Sequence, residues 1–440
     1  MIPTREEAAD ILKRTLLLSR ATEARAILTA TRSARTRFAL SGITAAGASD
    51  DATVTIVSTA GTRRAGVTTN AADPKEIERA VRESEDLARL SPEDPEYVPE
   101  ERVKEIPDVL DYFDETAAAG AEARAGAAAQ AIGAAGKIHG VASGFVESRE
   151  SLLAVATTKG FFASHRETLA TFRTTIRTAD GSGSGWAGRG ENRISAIVPG
   201  DLARAAAETA ARSASPAGLE PGAYAAILEP DAVAALIPFL LLSLDARLAL
   251  EGRSFLSRPG GGDRIGERLF GGNITLVSDP ADTMLSSAPF SADGVRREKR
   301  TWIRGGVVQE LSCSRSWAAR HGGRPSGGLS TALLLGGAAS VEEMVASIDR
   351  GLLIRRLRYV NMLDPGRLTL TGVTRDGTFL IEKGQVSRPV KDLRFQDSLK
   401  SILSSVEALG VPRRVLGEPV MGLPPMKVTS LTITRSAEGG

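Results

Sequence analysis

Apolar and polar residues alternate over residues 25–31, 36–40, 53–58 and 63–69, a period of two that predicts half-buried β-strands. Helical patterns bracket them. Thr4 and Glu7 have the spacing of a capping box and open a helix to about Ser19. Asp73-Pro74 opens a second helix, with Ile77, Ala80, Val81, Ser84 and Ala88 on one face. A carboxylate cap followed by proline suits that start. The order then recurs. A helix at 114–135, almost all alanine on one side, precedes strands at 141–146, 152–158, 161–178 and near Trp186. A closing helix begins at Pro199. Arg79-Ala80 and Glu83 match Arg204-Ala205 and Glu208 at an offset of 125 residues, so the pattern predicts a duplicated helix–strands–helix unit.

Residues 91–108, acidic and proline-rich, read as a linker or surface excursion, and 213–221 as a domain boundary. Beyond it strands dominate. One at 224–228 leads into a helix at 231–250, followed by a strand at 274–278 and a hairpin of 297–303 with 307–311. A hairpin set at 367–374, 378–382 and 385–389 turns at Asp376-Gly377 and Lys383-Gly384. Helices are expected at 341–350 and 397–409, and a closing strand at 428–434. The predicted class is α+β. Residues 1–215 form an N-terminal α/β domain of duplicated helix–strands–helix units, and 216–440 a C-terminal β-rich domain with few helices.

Composition narrows the class of partner. Hydrophobic residues at 42% and charged residues at 25% of 440 describe an ordinary globular protein. Its 55 basic and 53 acidic residues leave a formal charge of +2, with no concentrated basic face, so no nucleic-acid partner is expected. The longest apolar run, 232–242, is 11 residues with Pro238 inside it, too short to span a bilayer. No membrane partner is expected. The single cysteine, Cys313, forbids an internal disulfide, and the first residues carry no apolar signal core. Together these predict a cytoplasmic protein.

Candidate chemistry is sparse. His139, His165 and His321 stand 26 and 156 residues apart, so no one helix presents two of them to a metal. Ligands gathered from distant segments remain open. Residues 181–185 (GSGSG) place Gly183 where a nucleophile elbow needs serine, and read as a hairpin loop. Residues 259–262 (PGGG) lack the lysine and hydroxyl of a phosphate loop. Cys313 reads as a buried structural thiol. Asp231, Glu251 and Glu267 are the carboxylates near the 231–250 helix. Their ordinary roles are a helix cap and surface charges; acid–base work would require environments that split their pKa values.

Six strings resemble the TldD/PmbA family, in order and across nearly the whole chain. They are 180–188 (DGSGSGWAG), 251–256 (EGRSFL), 263–268 (DRIGER), 289–296 (PFSADGVR), 361–365 (NMLDP) and 378–389 (TFLIEKGQVSRP). The resemblance implies a two-part architecture and proteolysis of small or unfolded peptides. Family members pair a zinc-bearing subunit, with a His-Glu-x-x-x-His helix and a later cysteine, with a metal-free sibling. At the corresponding place this chain has 230–235 (PDAVAA), and 416–440 contains no cysteine. Asp231 would have no metal-bound water to activate. The resemblance therefore implies the metal-free PmbA-type (TldE-type) subunit. Such a chain has no catalytic or metal-binding residue and no cofactor. Its partner would be a zinc-bearing TldD-like homologue, and its ligand a peptide held as an added strand. The residues implied to face peptide or partner are Asp231, Glu251, Arg253, Ser254, Phe255, Arg264, Glu267 and Asn361. Two other readings stay open. One is a stand-alone peptide-binding or adaptor protein, homo-oligomeric if it has no partner. The other is a metal-independent hydrolase using Asp231, Glu251 or Cys313.

Overall fold

The computed structural model describes residues 2–70, 73–102, 104–417 and 419–436. Strand β1 (Glu23–Ala39), β2 (Gly42–Ala60), β3 (Arg63–Thr69), β4 (Val141–Thr157), β5 (Phe162–Arg177) and β6 (Ser184–Glu191) form one antiparallel sheet. Its order is β3-β2-β1-β4-β5-β6. The strands expected at 25–31 and 36–40 are a single strand. The polar residues between them stay paired because their neighbours carry opposite charge. Arg35 meets Glu147 at 2.7 Å and Arg32 meets Glu150 at 3.7 Å across the β1–β4 seam. The same seam joins 141–146 to 152–158 as the continuous β4.

Helices Arg5–Leu18, Pro74–Leu90, Ala121–Gly136 and Pro199–Arg212 cover one face of this sheet. The first two start as the sequence predicts. Thr4 and Glu7 close a capping box, and Asp73 accepts from the Lys75 N–H. The helix expected at 114–135 breaks at Gly120, giving Asp114–Ala117 and Ala121–Gly136. The Thr116 hydroxyl holds the short piece against the end of β6, donating to the Asn192 carbonyl at 2.8 Å. The alanine stripes bring helix and sheet close: Ala128, Ala131, Ala203, Ala206 and Ala210 are fully buried against Phe172 and Ile176.

Glu85, on the second helix, ties that helix to the end of the first. Its buried carboxylate accepts from Ser19 Oγ at 3.1 Å and from the Arg20 N–H, with Arg82 at 3.1 Å. Burial pushes this carboxyl up, but the Arg20, Arg82 and Ser19 donors outweigh burial and hold it below the usual carboxylate range. A depressed carboxyl stabilises the fold above its unfolded pKa and loses that contribution as pH falls through its folded pKa. Glu85→Gln is therefore expected to cost about 1–3 kcal/mol at neutral pH. The gap from wild type should close in acid, below the ordinary carboxylate range. Urea unfolding across pH checks this, and a gap that does not vary with pH would contradict it.

The rest of the chain runs β7 (Gly222–Leu228), β8 (Leu276–Ser278), β9 (Arg300–Arg304), β10 (Val307–Val308), β11 (Thr331–Leu334), β12 (Arg350–Asp364), β13 (Thr369–Glu382), β14 (Gln385–Pro389), β15 (Leu393–Ser398), β16 (Val406–Leu409), β17 (Arg413–Val415), β18 (Val420–Leu423) and β19 (Met426–Ser436). One sheet has the order β12-β7-β19-β15-β13-β14 and closes on itself, because β12 also pairs with β13. A second has the order β10-β9-β8-β11-β18-β17. A large apolar core, including Leu228, Leu240, Trp302, Phe395 and Leu431, lies among them. The chain is a strand-rich α+β protein. No helix among the described residues is long and apolar enough to cross a membrane.

Several local expectations need correction. The 231–250 helix is three short ones, Pro230–Val233, Ile237–Ser243 and Ala246–Leu250. Pro238 has no N–H to extend the first, and Asp245 caps the third by accepting from Leu248. The helix expected at 341–350 ends at Ala346, and β12 begins at Arg350. The helix expected at 397–409 covers only Leu399–Ser404, because β15 and β16 on either side both pair with β19. Asp376-Gly377 is a bulge inside β13, where the register against β12 shifts, rather than a hairpin turn. Lys383-Gly384 does turn β13 into β14 with φ of 52° and 74°. Residues 91–108, apart from Val103, which lies outside the described residues, are more than a surface excursion. Glu100 is 3% exposed, 3.1 Å from Arg25 on β1 and 4.0 Å from Arg315 in the helix Arg315–His321. That segment pins the first sheet to the C-terminal part.

Candidate binding cleft

A period of two puts every second side chain of a strand on the face away from the helices. On β4, β5 and β6 that face carries Glu147, Arg149, Glu167, Arg173 and Trp186, which floor a cleft of about 640 Å³. The opposite wall comes from the C-terminal part: the turn after β7 with Asp231, Ala234 and Ala235, residues 286–288, Arg356, and the stretch from Arg414. Glycines set the closeness of the two walls. A Cβ at Gly190 would stand 2.8 Å from Leu416, and one at Gly188 would meet both the Trp186 ring and Leu416. Gly183 and Gly185 face the other way, against the backbone of the helix Pro199–Arg212. The glycine-rich string from 181 is thus a hairpin loop followed by a strand squeezed from both sides.

Charge in the cleft is held by stacking and hydrogen bonds. Arg356 donates to Asp376 at 2.9 Å and lies over Trp186, 4.0 Å from the ring centre. Burial lowers its pKa, against the pull of Asp376. Ser184 donates to the same carboxylate at 2.6 Å, so the β13 bulge aims Asp376 at the β6 edge. Arg173 lies over Phe145 at 3.7 Å, its pKa lowered by burial and by Arg356 and Arg35. Arg414 donates to Asn192 Oδ1 and sits 3.8 Å from Glu191. Its pKa is lowered mainly by burial. Ser287 and Ser330 hydroxyls bond each other at 2.8 Å. No histidine lines the cleft among the described residues, so these serines have no imidazole base there.

Asp231 is the one sequence-predicted site residue in this cleft. Its carboxylate is paired with Arg413. With Ala234 and Ala235 beside it, the donor set here does not fit a catalytic zinc. Behind this turn a second cavity of about 610 Å³ is lined by Glu229, Arg355 and Arg413. Burial pushes the Glu229 carboxyl up, although Arg355 lies 3.4 Å away.

The other expected residues lie elsewhere. Glu251 is bound by Arg247 at 2.8 Å and Arg253 at 3.2 Å on the exposed end of the helix Ala246–Leu250. Ser254 is buried and donates to the Ser243 carbonyl, and Phe255 packs edge-on to Phe270 at 6.1 Å. Arg264 and Glu267 belong to one loop, where Glu267 also pairs with Arg258 at 2.7 Å. Asn361 is exposed on β12 and donates to the Tyr359 carbonyl. Sequence reading missed Arg173, Trp186, Arg356 and Arg414. The alternation of β5 and β6 was visible, but nothing local tells which face meets another part of the chain.

The fold recurs in known proteins. Residues 221–435 match the model of the PmbA/TldA metallopeptidase C-terminal domain, and 93–214 that of the central domain. A metalloprotease of Methanothermobacter thermautotrophicus is 25% identical over 223 residues, 48% of this chain and 48% of that one. The metalloprotease PmbA of Escherichia coli O157:H7 is 26% identical over 155 residues, 34% of this chain and 33% of that one. The matched part thus spans half or less of these curated relatives. Among solved structures, TldE from Thermococcus kodakarensis superposes with a TM-score of 0.86 at 17% identity, covering 96% of this chain and 99% of its own. A Thermotoga maritima protein described as a candidate modulator of a DNA gyrase gives 0.85 at 17%, covering 98% and 100%. At such identity these two establish the fold alone. The family models cover most of the chain, and this chain belongs to the PmbA/TldD metallopeptidase family.

Proposed function

We propose that this chain is the non-catalytic subunit of a two-part metallopeptidase that degrades or matures small or unfolded peptides. The observation that carries this reading is the turn after β7. It projects Asp231, Ala234 and Ala235 into the main cleft, and the only carboxylate among them is occupied by Arg413. Without ligands at that turn, the turn itself can hold no Lewis acid to activate a water. What remains is a cleft that holds a chain between a sheet face and the C-terminal wall. The catalytic zinc then belongs to a TldD-like partner, and the pair works in the cytoplasm. The unit boundaries 1–215 and 216–440, and an origin of the first unit by duplication, belong to the same proposal. The helix, three strands and helix on either side of the β1–β4 seam support them.

The test is to purify the tag-free chain alone and after co-expression with a homologue bearing His-Glu-x-x-x-His. Each sample is assayed on unfolded peptides with zinc supplied. We expect a stable complex and cleavage only in the co-expressed sample. Cleavage by the chain alone, or two proteins that never associate, would overturn the reading.

A further inference from the structure

Among the described residues, Asp111, His165 and Glu167 bring one ligand atom each to within 4.8 Å of one another. Two distant segments build the cluster. His165 and Glu167 are two apart on β5 and so share its face. Asp111 stands just before the helix Asp114–Ala117 and bridges to Glu167 through the backbone. The Asp111 main chain is firmly seated, its carbonyl accepting from the Thr168 N–H at 2.9 Å and from Asn192 Nδ2 at 3.4 Å.

The Asp111 side chain is different. It is 0% exposed, and neither of its oxygens receives a hydrogen bond. His165 Nε2 lies 3.0 Å from Oδ2, but it too lacks hydrogen-bond alignment, and its side chain is 5% exposed. A buried carboxylate 3.0 Å from an imidazole nitrogen yet out of hydrogen-bond line with it calls for an explanation. Glu167 completes the group from the cleft side, with its side chain 35% exposed and Oε1 accepting from Ser151 at 2.9 Å.

We propose that Asp111, His165 and Glu167 bind one divalent transition-metal ion of the zinc class, which ties the segment before residue 114 to the cleft floor. One imidazole with two carboxylates suits such an ion, whereas calcium and magnesium take oxygen ligands. Ligand atoms around a tetrahedral zinc stand about 3.3–3.5 Å apart. The Asp111–His165 pair, 3.0 Å apart, is already near that spacing, and the half-exposed Glu167 lies within 4.8 Å of both. Arg414 lies within electrostatic reach of Asp111 and Glu167, and Arg149 is 3.9 Å from Glu167. These cations weaken a purely charge-driven site and leave selection to coordination chemistry. Glu167 lines the same cleft as Asp231, but the cluster shares no residue with 230–235, so zinc titration tests it separately from the two-subunit reading.

The experiment is calorimetric titration of the chelator-stripped, tag-free chain with zinc, manganese and magnesium chlorides. We expect about one equivalent of zinc, weaker manganese and no magnesium binding. His165→Ala and Asp111→Asn should each weaken zinc at least tenfold. Glu167→Gln, at a partly exposed position, keeps the test valid if either buried variant fails to fold, and it should weaken zinc as well. Added zinc should raise the melting temperature of the wild type more than that of Glu167→Gln. No zinc uptake by the folded wild type overturns the proposal, as does uptake that folded variants at these positions leave unchanged. In that case Asp111 and His165 are a buried ion pair only.

Discussion

Gly185→Val is expected to cost at least about 3 kcal/mol, enough to leave the N-terminal sheet largely unfolded in mild urea. A Cβ at this position would stand 2.0 Å from the Ala206 carbonyl oxygen, 2.7 Å from the Ala210 nitrogen and 2.8 Å from Thr209 Cβ. Two of these atoms are helix backbone, so no rotamer change makes room. The helix Pro199–Arg212 must lift from β6, and its buried alanines Ala206 and Ala210 lose the sheet beneath them. The damage should reach the cleft, because β6 carries Trp186, and the second cavity, because Thr209 of that helix accepts from Arg355 at 2.6 Å. Gly181→Ala is the control: its φ of 72° strains an alanine, but no atom lies within 4 Å of the new Cβ. It should cost about 1 kcal/mol. Equal urea midpoints for the two variants would show that the helix is not seated on the strand as described.

Trp302→Ala is the second large effect, with an expected loss of about 3–5 kcal/mol. Trp302 is the largest side chain among those fully buried, 1% exposed in the main C-terminal core. Its indole N–H donates to Ser278 Oγ at 2.9 Å, across the β8–β9 pair. Alanine removes the ring, leaves a cavity the close-packed neighbours cannot fill, and orphans a buried hydroxyl. Trp302→Phe separates the two contributions. It keeps most of the packing and loses the hydrogen bond, so it should cost less, about 1–3 kcal/mol. Urea midpoints in the order wild type, Phe variant, Ala variant are expected. A phenylalanine variant as unstable as the alanine one would mean that the hydrogen bond, rather than ring burial, dominates.

On the proposed reading, the chain keeps this family's scaffold without metal ligands at the turn after β7. That turn lends a short edge to the cleft, and the proposed binding rests on the floor and on the arginines around it. Arg356 on Trp186 and Arg173 on Phe145 present flat guanidinium–aromatic surfaces suited to an extended polar chain.

Much of the local structure was legible in the residues alone. Thr4, Glu7 and Asp73 announce helix starts because a cap is a contact within one turn. The strands of the first sheet follow from a period of two, and Lys383-Gly384 from the positive φ its turn requires. That 230–235 contains no histidine, glutamate or cysteine is also plain in the sequence. What failed were features decided by neighbours far along the chain. Residues 32–35 look too polar for a strand interior, yet Glu147 and Glu150 on β4 keep Arg35 and Arg32 in register. The apolar run at 232–242 has the length of one helix, yet Pro238 and the packing around it divide it. Glu251, Arg264 and Asn361 are expected from the family resemblance and from polar residues near glycines, and the structure places them outside the main cleft. Which strand face becomes a cleft floor, and that Asp111 comes to lie beside His165, depend on sheet register and on how the C-terminal part closes over the first sheet. Caps, turns and periods are interactions within a few residues and are written into the sequence directly. The cleft arises from contacts between segments a hundred or more residues apart, and only the packed tertiary structure determines which of those contacts form.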